Sequence, residues 1–166
     1  VIRGLALDTE YRLTELKPAP GYAFAETIAF KLQQATSEDG SLLPQTDVYL
    51  LGENGEWVLL DVEAIVMQDD VTKVEIHKTD IVSGEELPGA HLEIHDADGD
   101  LIDEWISTDE PHFIEKLPAG DYTLTETLAP DGYAVAETVP FTVTATGDIQ
   151  SVVMKDAPSS MIHKTD

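Results

Sequence analysis

Side chains two positions apart on an extended strand point the same way. In V-E-I-H-K (74–78) that rule places Lys78 on one face with Val74 and Ile76. In Y-T-L-T-E (122–126) it places Glu126 with Tyr122 and Leu124, and in V-V-M-K-D (152–156) it places Asp156 with Val152 and Met154. Three strands therefore each aim one ionisable group along an apolar face. One such group alone, near a strand end, reads most simply as a charge that reaches water, because lysine and glutamate are rarely fully buried. A lysine, an aspartate and a glutamate withdrawn from water together are a different case. Each alone would be very costly to bury, but together they can pair or react.

The elements that must position these groups read as all-β. V-E-I-H-K, H-L-E-I-H (91–95) and Y-T-L-T-E alternate apolar and polar residues. Turn signals separate them: S-G-E-E-L-P-G (83–89), D-A-D-G-D (96–100), P-A-G-D (118–121) and A-P-D-G (129–132). No long amphipathic helix is expected, and short strands at regular spacing indicate a β-sandwich.

The chain also repeats itself. Residues 11–32 (YRLTELKPAPGYAFAETIAFKL) lie on residues 122–143 (YTLTETLAPDGYAVAETVPFTV) with half of the positions identical. V-M-Q-D-D (66–70) matches V-M-K-D-A (153–157), and I-H-K-T-D follows each, at 76–80 and at 162–166. The expected organisation is an incomplete unit over 1–73, a complete unit over 74–158, and the first strand of a further unit over 159–166. The incomplete unit holds an insertion, 48–60, whose G-E-N-G-E carries the Asn-Gly hairpin signal.

Composition narrows the function. The chain has 166 residues, 42% of them hydrophobic, with 33 acids against 9 Lys and Arg, a net charge of −24. So acidic a surface repels phosphate backbones, so no nucleic-acid partner is expected. There is no cysteine for a disulfide or a thiolate. No apolar run is long enough for a membrane span. The chain starts at Val1 rather than Met and reads as part of a longer, processed protein. L-P-Q-T-D (43–47) resembles a sortase signal but has Asp where Gly is required. D-A-D-G-D resembles a calcium loop but has Gly99 misplaced and Ser107 where the closing Glu belongs, so a hairpin turn is expected there. The five histidines lack ligand spacing, so no metal is expected. Trp57 and Trp105 read as packing residues, and no enzyme motif is present.

The segment Y-x-L-x-E-x-x-A-P-x-G-Y (122–133) resembles the E-box of Gram-positive pilins. With the lysine strand, the L-P-G-A turn (87–90), W-x-S-T-D (105–109) and the closing V-M-x-D-A, the whole of 74–158 resembles a Cna B-type domain, also called the SpaA-like prealbumin-like pilin domain. The resemblance implies tandem Ig-like or prealbumin-like sandwiches, each closed by an intramolecular Lys–Asp isopeptide bond. Carried over, Lys78 is the nucleophile, Asp156 the electrophile and Glu126 the catalytic acid. In water the reaction fails, because the amine is protonated and the carboxyl ionised. Desolvation favours the neutral forms, a protonated Glu126 can polarise the Asp156 carbonyl, and folding makes the step unimolecular. No cofactor is required, and a single turnover is not enzymology in the usual sense.

The resemblance further implies a stalk or backbone module of a pilus or wall-anchored protein, extracellular on a Gram-positive bacterium, with neighbouring domains of the same protein as partners. The alternative is an adhesin module that binds a host or matrix ligand. In the first unit Glu15 matches the acid and Asp69 the acceptor, but the lysine strand is missing. Either the boundaries are accidental, or another strand completes the unit. The 161–166 segment carries the motif and could add head to tail to residues 1–73 of another copy, placing Lys164 near Asp69.

Overall fold

The computed structural model describes residues 3–61 and 64–159, and these contain eleven strands and no helix. They gather into two compact units. The first comprises Val1–Pro18 and Phe24–Asp69; the second takes in Ala19–Ala23 and the chain from Asp70 onward. The short excursion joins the second unit because Gly21 and Ala23 are hydrogen-bonded to Thr72 and Asp70.

The first unit is one antiparallel sheet of β1 (Glu10–Leu13), β2 (Ile28–Thr36), β3 (Leu42–Leu51) and β4 (Trp57–Leu59), in that order. The inserted hairpin forms, but its first strand starts at Leu42, ahead of the expected Val48. L-L-P-Q-T-D has no clean alternation to announce a strand. Its Pro44 is tolerated because the β2–β3 register slips between Gln34 and Thr36, where the Gln34 amide donates to the Leu43 and Gln45 carbonyls instead. L-P-Q-T-D thus lies within β3. At the Asn-Gly turn, Gly55 adopts φ 80° and Gly52 donates to Glu56 O at 2.8 Å. The Lys31 ammonium lies 4.7 Å from the Trp57 ring centroid, covering that side chain.

The second unit is a sandwich. One sheet is β5 (Lys73–Asp80) flanked by β8 (His112–Glu115) and β11 (Ile149–Asp156). The other has the order β10-β9-β6-β7, from β6 (His91–Asp96), β7 (Leu101–Ile106), β9 (Gly120–Leu128) and β10 (Val139–Val143). D-A-D-G-D forms the β6–β7 hairpin turn, where Asp96 Oδ1 accepts the amides of Asp98 and Asp100. Alternation builds the core: Val74, Ile76 and Met154 from the smaller sheet meet Leu92, Ile94, Tyr122, Leu124 and Val143 from the larger, all buried. Trp105 packs against this cluster and stacks on His112, with centroids 4.1 Å apart.

The first and last strands of the sandwich, β5 and β11, are parallel neighbours. The first unit has no counterpart of this pair among its described residues. Its closing segment 65–69, which matches the end of β11, forms no strand.

Candidate functional site

The buried face of β5 runs Val74, Ile76, Lys78, and the lysine side chain is only 2% exposed. β11 lies alongside in register Met154 to Lys78, so Asp156 sits two residues further on and on the same face. Glu126 comes from the facing sheet, at the end of the buried row Tyr122, Leu124, Glu126 on β9. The side chains of Glu126 and Asp156 are both fully buried. The Lys78 ammonium contacts Asp156 Oδ1 directly and lies 3.0 Å from Glu126 Oε1. The structure thus brings Lys78, Glu126 and Asp156 together in the core.

Hydrogen bonds that involve the backbone hold Glu126 and Lys78. Glu126 Oε2 accepts the Ala136 amide at 2.6 Å. The Lys78 amide donates to Glu86 Oε2 at 3.1 Å, and the Lys78 carbonyl accepts the Leu87 amide at 2.7 Å. Glu86 Oε1 also engages His77 Nδ1 at 2.6 Å. Tyr133 donates to Asp80 Oδ2 at 2.7 Å and ties the E-box loop to the end of β5.

The electrostatics are unbalanced. Two carboxyls face one amine, and Glu126 Oε1 and Asp156 Oδ2 have no hydrogen-bond partner among the described residues. The contact from Lys78 to Glu126 Oε1 is close enough for attraction but is not a formed hydrogen bond. Burial raises the pKa of Glu126, and the nearby Asp156 carboxyl adds to the rise; the Ala136 amide and Lys78 oppose both. A buried acid with a raised pKa is a proton donor, and an orphaned carboxyl oxygen is an atom to which a proton can go. The arrangement suits condensation of an amine with a carboxylic acid.

The first unit repeats only part of this. Glu15 Oε2 accepts the Ala25 amide at 3.0 Å, as Glu126 does that of Ala136. Yet Glu15 is only half-buried, Asp69 is exposed, and neither forms an ion pair among the described residues. β11 is held by β5, and the first unit has no described strand in the place of β5 to hold its closing segment. Lys164 lies outside the described residues. Sequence reasoning overlooked Ala136, although A-x-A-E recurs in both copies (23–26 and 134–137) and marked it. It also overlooked Glu86, which falls where the incomplete unit offers nothing for comparison.

Several known proteins resemble the chain. The minor pilin GBS52 of Streptococcus agalactiae is 14% identical, over 93% of this chain and 92% of that one, with a TM-score of 0.49. The shaft pilin SpaA of Lactobacillus rhamnosus GG is 16% identical, over 78% of this chain and 68% of that one, with a TM-score of 0.44. The Bacillus anthracis TIE protein is 22% identical, with a TM-score of 0.47; 83% of this chain aligns, but it spans only 31% of that protein. No curated protein sequence matches. The family profile described as SpaA, prealbumin-like fold domain, matches residues 72–158. That match covers the whole sandwich and more than half of the chain, so the chain belongs to the SpaA family of prealbumin-like fold domains.

Proposed function

We propose that the second unit is a load-bearing module of a pilus or wall-anchored surface protein, and that it closes itself with a Lys78–Asp156 isopeptide bond. The observation that carries this reading is the buried contact between Lys78 and Asp156 beside a Glu126 whose pKa is raised. With amine and carboxyl neutral, Lys78 Nζ attacks Asp156 Cγ and a C–N bond forms. One C–O bond of the carboxyl breaks, and its hydroxyl leaves with an amine proton as water. Glu126 donates a proton toward the departing oxygen and recovers one from the nitrogen, ending unchanged. Proximity comes from folding, so the step occurs once per molecule.

The mechanical gain follows from topology. Tension that enters along β5 would cross the bond to Asp156 and leave, sparing everything between. On the loop-entropy model, a link closing so long a segment contributes about 4–5 kcal/mol. A cysteine-free extracellular chain thereby gains what secreted domains often obtain from disulfides. The tandem repeat supports neighbouring units of the same protein as partners. A lysine strand supplied to the first unit, such as the 161–166 segment of another copy with Lys164, would complete the same chemistry at Glu15 and Asp69. SDS-resistant oligomers would report that second link; monomer alone counts against it.

The primary test is intact mass under denaturing conditions. A mass one water below that of the sequence is expected, with Lys78 and Asp156 recovered in one branched peptide after digestion. The full mass would refute the bond.

A further inference from the structure

The G-Y-A triplet occurs at 21–23 and again at 132–134, and the copies make the same backbone contacts. Gly21 O accepts the Thr72 amide at 3.1 Å, Ala23 donates to Asp70 O at 2.9 Å, and Tyr22 bridges to Val71. Gly132 O accepts the Ser159 amide at 2.8 Å, Ala134 donates to Ala157 O at 3.1 Å, and Tyr133 bridges to Pro158. Each copy thus clasps the segment that follows a closing V-M-x-D.

The copies differ in what covers them. Gly21 and Ala23 are buried within the second unit. A Cβ on Gly21 would meet Lys116 O at 2.4 Å, and the Lys116 ammonium lies 5.4 Å from the Tyr22 ring centroid. Thr72 is fully buried and donates its hydroxyl to Leu117 O at 2.6 Å. Lys116 holds φ 62°, a conformation a non-glycine residue seldom adopts, and so the β8–β9 turn is bent around the first clasp. By contrast Gly132, Ala134 and Ser159 are exposed, and among the described residues nothing lies within 4 Å of a Cβ built on Gly132. Beside this second clasp lies a groove of about 500 Å³ between residues 87–89 and 128–133.

We propose that the exposed clasp, residues 130–134 with 157–159, is the docking surface for the β8–β9 turn of a further repeat unit. The occupant is read from the buried copy, where the same triplet on the same kind of linker is covered by Lys116 and Leu117. Ser159 offers the hydroxyl that Thr72 gives to Leu117 O. Asp131 stands where the first copy has Pro20, next in sequence to the glycine that Lys116 covers in that copy, and adds a carboxylate to the loop. The inference rests on the tandem reading above but not on the crosslink. Mass reports the crosslink; the measurements below report docking.

Two experiments test it. In the full chain extended after Ser159 by a second copy of residues 73–158, amide exchange over 130–134 is expected to slow at least about tenfold, toward that of 20–23. Gly132→Ala should lower Tm by several degrees more in the extended chain than in the unextended one, because only there would its Cβ meet a covering carbonyl, as a Cβ on Gly21 meets Lys116 O. Unchanged exchange in the extended chain, or an equal loss from Gly132→Ala in the two chains, overturns the proposal.

Discussion

Lys78 is paired across the sheet with Met154, and Asp156, the residue it contacts, lies two positions further along the parallel strand. Two residues of rise and one interstrand gap put the two Cα atoms about 8 Å apart, which matches an extended lysine reaching a short aspartate. A partner directly opposite would crowd the four-carbon stem. A shift of one residue would turn the aspartate to the other face.

That geometry separates the cost of buried charge from the benefit of a link. Asp156→Ala should give a protein of full mass whose stability falls by about 3–5 kcal/mol, the usual effect of removing one partner of a buried ion pair, with Glu126 left as the only acid beside Lys78. Adding Lys78→Met should recover part of the loss without restoring the link, because an apolar side chain of similar length refills the site. Denaturant melts of the two variants decide it. If the double variant is no more stable than Asp156→Ala, the loss came from the missing bond rather than from a buried amine left with Glu126 alone.

Glu126 makes two contacts, and its variants divide them. Glu126→Gln keeps an acceptor for the Ala136 amide but has no acidic proton to lend, so it should fold and retain full mass. Glu126→Ala should also retain full mass and be the less stable of the pair, because it orphans that amide. Water loss in Glu126→Gln would remove the glutamate from the mechanism. Because burial raises the Glu126 pKa, bond formation in newly folded wild-type protein should slow as pH climbs through that raised value. Mass spectrometry of timed samples after synthesis at several pH values measures this.

His77 offers a titration on the solvent side of the same strand. Its pKa is raised above the ordinary 6.5, chiefly by the hydrogen bond to Glu86 and further by Glu75, against partial burial. A raised folded-state value means that the stabilisation is fully present below pH 6.5 and is lost as pH rises through the folded pKa. An NMR titration should place the His77 midpoint above 6.5, and Glu86→Gln should bring it back toward that value. Glu86→Gln should also loosen the Lys78 backbone less than Glu86→Ala, since an amide oxygen still accepts from the Lys78 N–H.

What the sequence made legible was periodic. Lys78, Glu126 and Asp156 were found because each breaks an apolar row at a fixed offset of two, and the fold keeps that alternation on β5, β9 and β11. Strand order has no such local signature. Nothing in residues 74–78 or 149–156 says that they lie side by side and parallel, because that pairing depends on closure across the intervening chain. The residues that hold the site through the backbone were equally silent. Glu86 looks like one more acid in a loop, and only the fold shows that it bridges His77 and the Lys78 amide. The early start of β3 was hidden by Pro44, a residue that argues against a strand unless a register slip accommodates it.

Ser107 supplies the last prediction. It is buried beneath the L-P-G-A turn, where its hydroxyl donates to Leu87 O at 2.7 Å and accepts the Ala90 amide at 2.9 Å. Its backbone takes part as well, with Ser107 N donating to Ala90 O and Gly89 N donating to Ser107 O. The turn it fixes is the one whose Leu87 amide caps the Lys78 carbonyl, so the hydroxyl lies two hydrogen bonds from Lys78. Ser107→Ala leaves the Leu87 carbonyl and the Ala90 amide short of a partner, at a cost of about 1–3 kcal/mol. Ser107→Thr keeps the hydroxyl but must fit a methyl, and should be milder if the turn can yield. Thermal melts of both variants, each with its intact mass, distinguish a structural role from a positioning one. Full loss of water with a lowered Tm means that the turn serves stability alone. Incomplete water loss in Ser107→Ala means that the turn also sets the reach of Lys78.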